Sequence, residues 1–159
     1  MYKCVLLPLD GSDLAEQALP HAVVQAKNFE AELVLMRVVE TLEEPPALWM
    51  SAIKREEELM KAAAQEYLER IAAQVEGHGI RTRAVTIEGR PHIEIARFAE
   101  ENQVDLIVMC TRGHSGLSRW LMGSVADRVV RGASVPVLVV HARKGKGRSG
   151  KVCNTVLNQ

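Results

Sequence analysis

The sequence predicts an α/β protein: a single open, doubly wound, five-stranded parallel sheet with strand order 3-2-1-4-5 and helices on both faces. Three observations predict it. Short runs rich in Val, Ile and Leu alternate along the chain with longer segments whose apolar residues recur at helical spacing. The strand-length runs are almost continuously apolar, as strands covered on both faces must be. The composition is 47% hydrophobic yet only 4% aromatic, so the core has to be aliphatic, which suits helices packed on a parallel sheet. Right-handed crossovers then turn the βα order into one open sheet, and 159 residues are enough for one domain.

The elements follow in order. Cys4 to Leu9 reads as the first strand. Asp13 to Asn28 reads as a helix, with Asp13 and Glu16 at capping-box spacing and Pro20 either kinking it or marking first turns. Ala31 to Val39 is the second strand, and Glu43-Glu44-Pro45-Pro46 a linker whose Pro46 suits the start of a helix. The long helix runs from about Leu48 to Val75, with Ile53, Met60, Ala64, Tyr67, Leu68, Ile71 and Val75 on its apolar face and Arg55-Glu56-Glu57-Glu58 largely off it. Gly77 and Gly79 stop that helix. Thr82 to Ile87 is the third strand. Pro91 to Glu101 is a helix with Ile95, Phe98 and Ala99 inward. Asp105 to Met109 is the fourth strand, Ser124 to Arg131 starts the last helix, and Val135 to Val140 is the fifth strand. The domain spans 1–142, and residues 143–159, rich in Gly and Lys, read as a flexible basic tail.

Several function classes are excluded by composition and pattern. Twenty basic residues balance twenty acidic ones, which argues against a nucleic-acid-coating protein. No apolar run approaches the ~18 residues needed to cross a bilayer. Val5-Leu6-Leu7 runs straight into Pro8 and Asp10, unlike a signal peptide, so a cytoplasmic location is expected. Cys4, Cys110 and Cys153 are odd in number and widely spaced, and read as reduced thiols. The five histidines show neither i, i+4 pairing nor a Cys/His cluster, so no metal site is expected. With no Gly-x-Ser-x-Gly elbow, no catalytic residue is assigned. The tail segment Gly145 to Lys151 imitates a phosphate loop, but Val152 stands where a magnesium-binding Ser or Thr belongs and too little chain follows for a supporting helix. A phosphoacceptor receiver would need an Asp after the third strand, where Ile87-Glu88-Gly89 stands.

Two strand-end loops carry candidate chemistry. After the fourth strand, Gly113 and Gly116 allow close backbone approach to an anion, Arg112 and Arg119 add positive charge, and Ser115 and Ser118 add hydroxyls. Ser124, with Asp127 three residues on, would cap the last helix, whose free N–H groups favour phosphate. The alternative, in which the glycines only turn the chain and Ser124 only caps, stays open. After the first strand comes Pro8-Leu9-Asp10-Gly11-Ser12. Strands one and four flank the point where strand order reverses, so this loop faces the other. Asp10 can accept a hydrogen bond from an adenine amino group or a ribose hydroxyl, or serve only as a turn residue before Gly11. Cys110, at the end of strand four, reads as a small core or loop residue or, alternatively, as a reactive thiol.

The segments Pro8 to Ser12, Val104 to Met109, Thr111 to Ala126 and Val135 to Val140 together resemble the universal stress protein family, over about residues 1–142. The ATP-binding branch of that family shows Gly, two residues, Gly, nine residues, Gly and then Ser or Thr. Here Gly113 is the second glycine, His114 to Met122 are the nine residues, and Gly123-Ser124 close the pattern, while Cys110 stands in place of the first glycine. The resemblance implies that Asp10 meets adenine, with its neighbour Leu9 in the same loop, and that Pro8 and Val38 line the base and ribose pocket. It implies that Gly113, Gly123, Ser124 and Val125 hold ribose and phosphates, with contacts from Arg112, His114 and Ser115. The implied ligand is ATP, or AMP or ADP, with Mg2+ accompanying it, bound as a regulatory ligand with slow or no hydrolysis. The chain has no P-loop lysine or clear magnesium carboxylate pair. The resemblance further implies a homodimer formed through Val135 to Val140 and a protein partner of unspecified identity. Family members without the glycine motif act as nucleotide-independent dimeric interaction modules, and Cys110 is the feature favouring that alternative.

Overall fold

The structure, a computed structural model, describes residues 1–41, 47–111 and 123–142. Its five strands are β1 (Cys4–Pro8), β2 (Glu32–Val39), β3 (Thr82–Glu88), β4 (Leu106–Thr111) and β5 (Val137–His141). They form one parallel sheet in the order β3-β2-β1-β4-β5. The expected doubly wound sheet is therefore observed.

Period-two alternation sorts each strand into two faces. Val5, Leu7, Leu9, Leu33, Leu35, Leu106 and Val108 pack beneath α2 (Leu19–Phe29) and α3 (Met50–Glu76). Leu6, Val34, Met36, Ile107 and Met109 pack on the opposite side against α4 (Pro91–Glu101) and α5 (Ser124–Gly132). Ile95, Phe98 and Ala99 of α4 face inward as expected.

Several element ends differ from expectation, most by a residue or two, and four differences have a physical cause. The helix foreseen over Asp13 to Asn28 is two helices, α1 (Asp13–Glu16) and α2, because Pro20 supplies no N–H and is accommodated in the first turn of a new helix. The cap of α1 is Ser12, whose hydroxyl accepts from Ala15 N at 3.1 Å, in place of an Asp13–Glu16 capping box. β4 begins at Leu106, since the Asp105 carboxylate is turned back to accept from Lys3 N (2.6 Å) and Cys4 N (3.0 Å), locking the start of β4 to β1. β5 begins at Val137, not Val135, because Pro136 can donate no ladder hydrogen bond.

The long helix α3 follows a 3-10 turn, Ala47–Trp49, and ends at Glu76 with Gly77 as its C-cap. It runs against β3: Gln65 accepts from the Thr86 hydroxyl, and Lys61 pairs with Glu88 at 3.0 Å, where β3 ends. The helix before Lys61, about 16 Å long, buries no residue fully. Met60 is 50% exposed and Leu59 65%, so Met60 does not join the core as its periodicity suggested. The buried face of α3 starts at Ala64 and continues through Leu68, Ile71, Ala72 and Val75. The linker Glu43 to Pro46 and the tail 143–159 lie outside the described residues. Among the described residues, no helix is long and apolar enough to cross a membrane.

Candidate functional site

A crevice opens where strand order reverses. β1 and β4 pair only through Val5↔Leu106 and Leu6↔Ile107, yet β1 continues to Pro8 and β4 to Thr111. Beyond that register the two strands part. β1 stays on β2, with Leu9 N donating to Met36 O at 2.8 Å, while β4 stays on β5 through Thr111↔His141. In a doubly wound sheet this is where ligands bind.

The β1 side of the crevice carries the Asp10 loop. Pro8 is half-buried on the α4/α5 side, whereas the Leu9 side chain is buried in the opposite core and can offer a ligand only its backbone. Asp10 is exposed. Its Oδ1 accepts from Ser12 N at 2.9 Å and from the Ser12 hydroxyl at 2.6 Å, so Asp10 makes the turn foreseen as one of its readings. Both bonds fall on Oδ1. From β2, Val38 is half-buried against the α4/α5 core, on the same side as Pro8.

On the β4 side, Cys110 points toward the α2/α3 core. Burial pushes its thiol above the ordinary value and the Asp10 carboxylate adds to that, while backbone N–H groups of Thr111 and Ala142 pull it down. The net upward shift keeps Cys110 protonated and disfavours the nucleophilic thiolate. Thr111 is buried, and its hydroxyl meets His141 Nδ1 at 3.2 Å. Arg112, Gly113, His114 and Ser115, with Gly116, Ser118 and Arg119, lie outside the described residues.

Gly123, not Ser124, is the N-cap of α5, with φ −54° and ψ 145° and no side-chain capping bond. Ser124 is the first helical residue and is exposed. The capping box is lost because the helix starts one residue earlier, which puts Ser124 inside it; Asp127 instead accepts from Arg131 Nε on both carboxylate oxygens at 3.1 and 3.0 Å. Among the described residues, no N-cap side chain bonds the first N–H groups of α5, which lie at the positive end of the helix dipole. Val125 packs against the α4/α5 core.

Sequence reasoning missed a cluster behind the Asp10 loop. Arg37 is the single charged residue inside the apolar run Leu33 to Val39, and that incongruity was the available signal. Its guanidinium lies over the Tyr67 ring, 5.3 Å from the centroid, and Tyr67 donates its hydroxyl hydrogen to Glu16 at 3.0 Å. Burial first, and then the bond to Glu16 and its charge, push the Tyr67 phenol well above its ordinary value near 10. The unfolded chain therefore loses this proton near pH 10, whereas the folded one keeps it. Stability associated with Tyr67 is intact below about pH 10 and declines above it. Urea midpoints taken at about pH 9 and about pH 11 should fall less in Tyr67→Phe than in wild type. Equal falls would remove Tyr67 from the alkaline transition.

These elements define a doubly wound α/β protein whose crevice at the strand-order reversal is flanked by an acidic loop and a glycine-capped helix. A profile described as the universal stress protein family matches residues 1–141. Universal stress protein MJ0531 of Methanocaldococcus jannaschii is 41% identical over 147 residues, covering 91% of this chain and 85% of that protein. Universal stress protein UspA from Lactobacillus plantarum superposes with a TM-score of 0.78 at 25% identity, covering 87% of this chain and 97% of that one. A universal stress protein solved in complex with cAMP superposes with a TM-score of 0.61 at 25% identity, covering 89% and 98% of the two chains. The chain belongs to the universal stress protein family.

Proposed function

We propose that this chain is a cytoplasmic protein that binds ATP, or AMP or ADP, as a regulatory ligand, with slow or no hydrolysis. The observation that carries the reading is the parting of β1 and β4 at Leu6↔Ile107, with Asp10 on one wall and Gly123 opening α5. Asp10 Oδ2 accepts no bond from a described residue and is free to receive the adenine amino group. Pro8 and Val38 offer apolar surface to the base on one side of the sheet, with the Leu9 backbone beside them. Gly123, Ser124 and Val125 offer N–H groups to phosphate, and Arg112, Gly113, His114 and Ser115 would complete the cradle. Magnesium would arrive with the nucleotide. The cAMP complex of a relative supports the nucleotide class.

In this reading residues 1–142 form the domain, 143–159 a basic tail, and two copies pair along the outer edge of β5, the strand foreseen over Val135 to Val140. A second reading, a nucleotide-independent dimeric interaction module, is favoured by Cys110, whose Cβ and sulfur stand at the first glycine position of the motif.

The test is calorimetric titration of ATP into wild type, Gly123→Val and Cys110→Gly. Wild type is expected to bind, Gly123→Val to lose at least about tenfold in affinity, and Cys110→Gly to bind at least as tightly as wild type. Absence of binding by wild type at millimolar ATP would hand the case to the second reading.

A further inference from the structure

We propose that Arg37 is a positioning residue for the candidate nucleotide site: its guanidinium, set against both the Tyr67 ring and Gly11, fixes the loop that presents Asp10. This deepens the nucleotide reading and rests on it.

The guanidinium packs on two neighbours. Gly11 has φ +84°, and a Cβ built on it would stand 3.1, 3.2 and 3.3 Å from Nη1, Cζ and Nη2 of Arg37. The guanidinium thus fills the space a side chain would take at Gly11, and the positive φ independently favours glycine there. Tyr67 lies on the guanidinium as well, 5.3 Å from Cζ to the ring centroid, within cation–π range. Tyr67 is itself held by Glu16, the last residue of α1. The clamp therefore grips the segment 10–16 at two places: through Gly11 directly, and through Glu16 by way of the phenol. Between those points runs the bond chain Asp10 Oδ1 to Ser12 and Ser12 Oγ to Ala15 N.

Arg37 projects to the α2/α3 side of the sheet, whereas Pro8 and Val38 project to the other. It thus buttresses the loop from behind and does not line the pocket. Its plane, not only its charge, is what the packing uses, and lysine lacks that plane.

Wild type, Arg37→Met and Arg37→Lys are to be titrated with ATP and with GTP, and amide exchange of residues 11–15 followed without nucleotide. Both variants should exchange the Ser12 and Ala15 amides about fivefold faster or more, bind ATP about tenfold more weakly, and discriminate less between ATP and GTP. Exchange left at the wild-type rate in both variants overturns the clamp. Faster exchange with ATP affinity and base preference retained overturns the positioning role. Full ATP affinity in Arg37→Lys but not in Arg37→Met would show charge attraction instead, and also overturns it. Should Arg37→Met fail to fold, Arg37→Lys carries the exchange, affinity and base-preference comparisons with wild type, and full ATP affinity in it overturns the positioning role. A wild type that binds neither nucleotide removes the proposed function, and with it any role in placing a ligand. The exchange rates then decide the clamp by themselves.

Discussion

Replacing Leu35 with alanine is expected to cost about 3 kcal/mol of stability and to lower the melting temperature by roughly 6–12 °C. Leu35 is in the middle of β2, paired with Leu7 on one side and Ala84 on the other. It is fully buried, in the cluster that joins the sheet to α2 and α3. Its neighbours belong to a regular sheet and two helices, none of which can shift to refill the space. The lost apolar contact and the residual cavity therefore add. Chemical denaturation that shows a loss below about 1 kcal/mol would mean that the core there collapses freely.

Gly89→Ala should be nearly as damaging, by about 2–3 kcal/mol, for a different reason. Gly89 has φ +138°, a conformation that side chains rarely adopt, and its N–H donates to Val39 O at 3.0 Å, so the backbone is not free to relax. A Cβ would stand 2.8 Å from Glu94 Oε1 and 2.9 Å from its Cγ. Glu94 is one of the two buried polar side chains among the described residues, and it is tied to Arg97. Moving it disturbs a buried carboxylate's partner as well as straining the turn. A double-mutant cycle with Glu94→Ala should recover about 1 kcal/mol, the part owed to the collision. Strict additivity of the two substitutions would assign the whole cost to backbone strain.

These two expectations show what could be read in advance and what could not. Leu35 is visible in the sequence, because a run such as Leu33 to Val39 flanked by helical periods has to be buried on both faces. The same logic, with right-handed crossovers, yields the sheet order. Gly89 is not visible in this way. Its importance comes from Glu94, which helical spacing alone would place anywhere on the rim of α4. Local propensity also misassigned Ser124: the serine suits a cap, but the helix starts one residue earlier, with Gly123 as its cap. Pro20 left two readings open, and the structure chose the first-turn reading. Of the candidate site, the Asp10 loop and the start of α5 were legible as strand-end features. The Arg37 cluster was not, since it depends on β2, α1 and α3 meeting behind the loop, and no local pattern reports a three-way encounter.

The first turns of α3 have a consequence for how this chain can change over time. Residues 64–75 answer to the sheet, and nearly every apolar substitution there is felt by the core. Residues 50–60 are mostly exposed: they rise past the Lys61–Glu88 pair, with Leu59 65% and Met60 50% exposed and Ile53 and Glu57 partly buried. One helix thus joins a stretch held fast by the core to a stretch that, among the described residues, buries no side chain fully. New surface chemistry can be tried on the outer turns at little cost to the domain, on a rod that rises from the same edge of the sheet as the crevice.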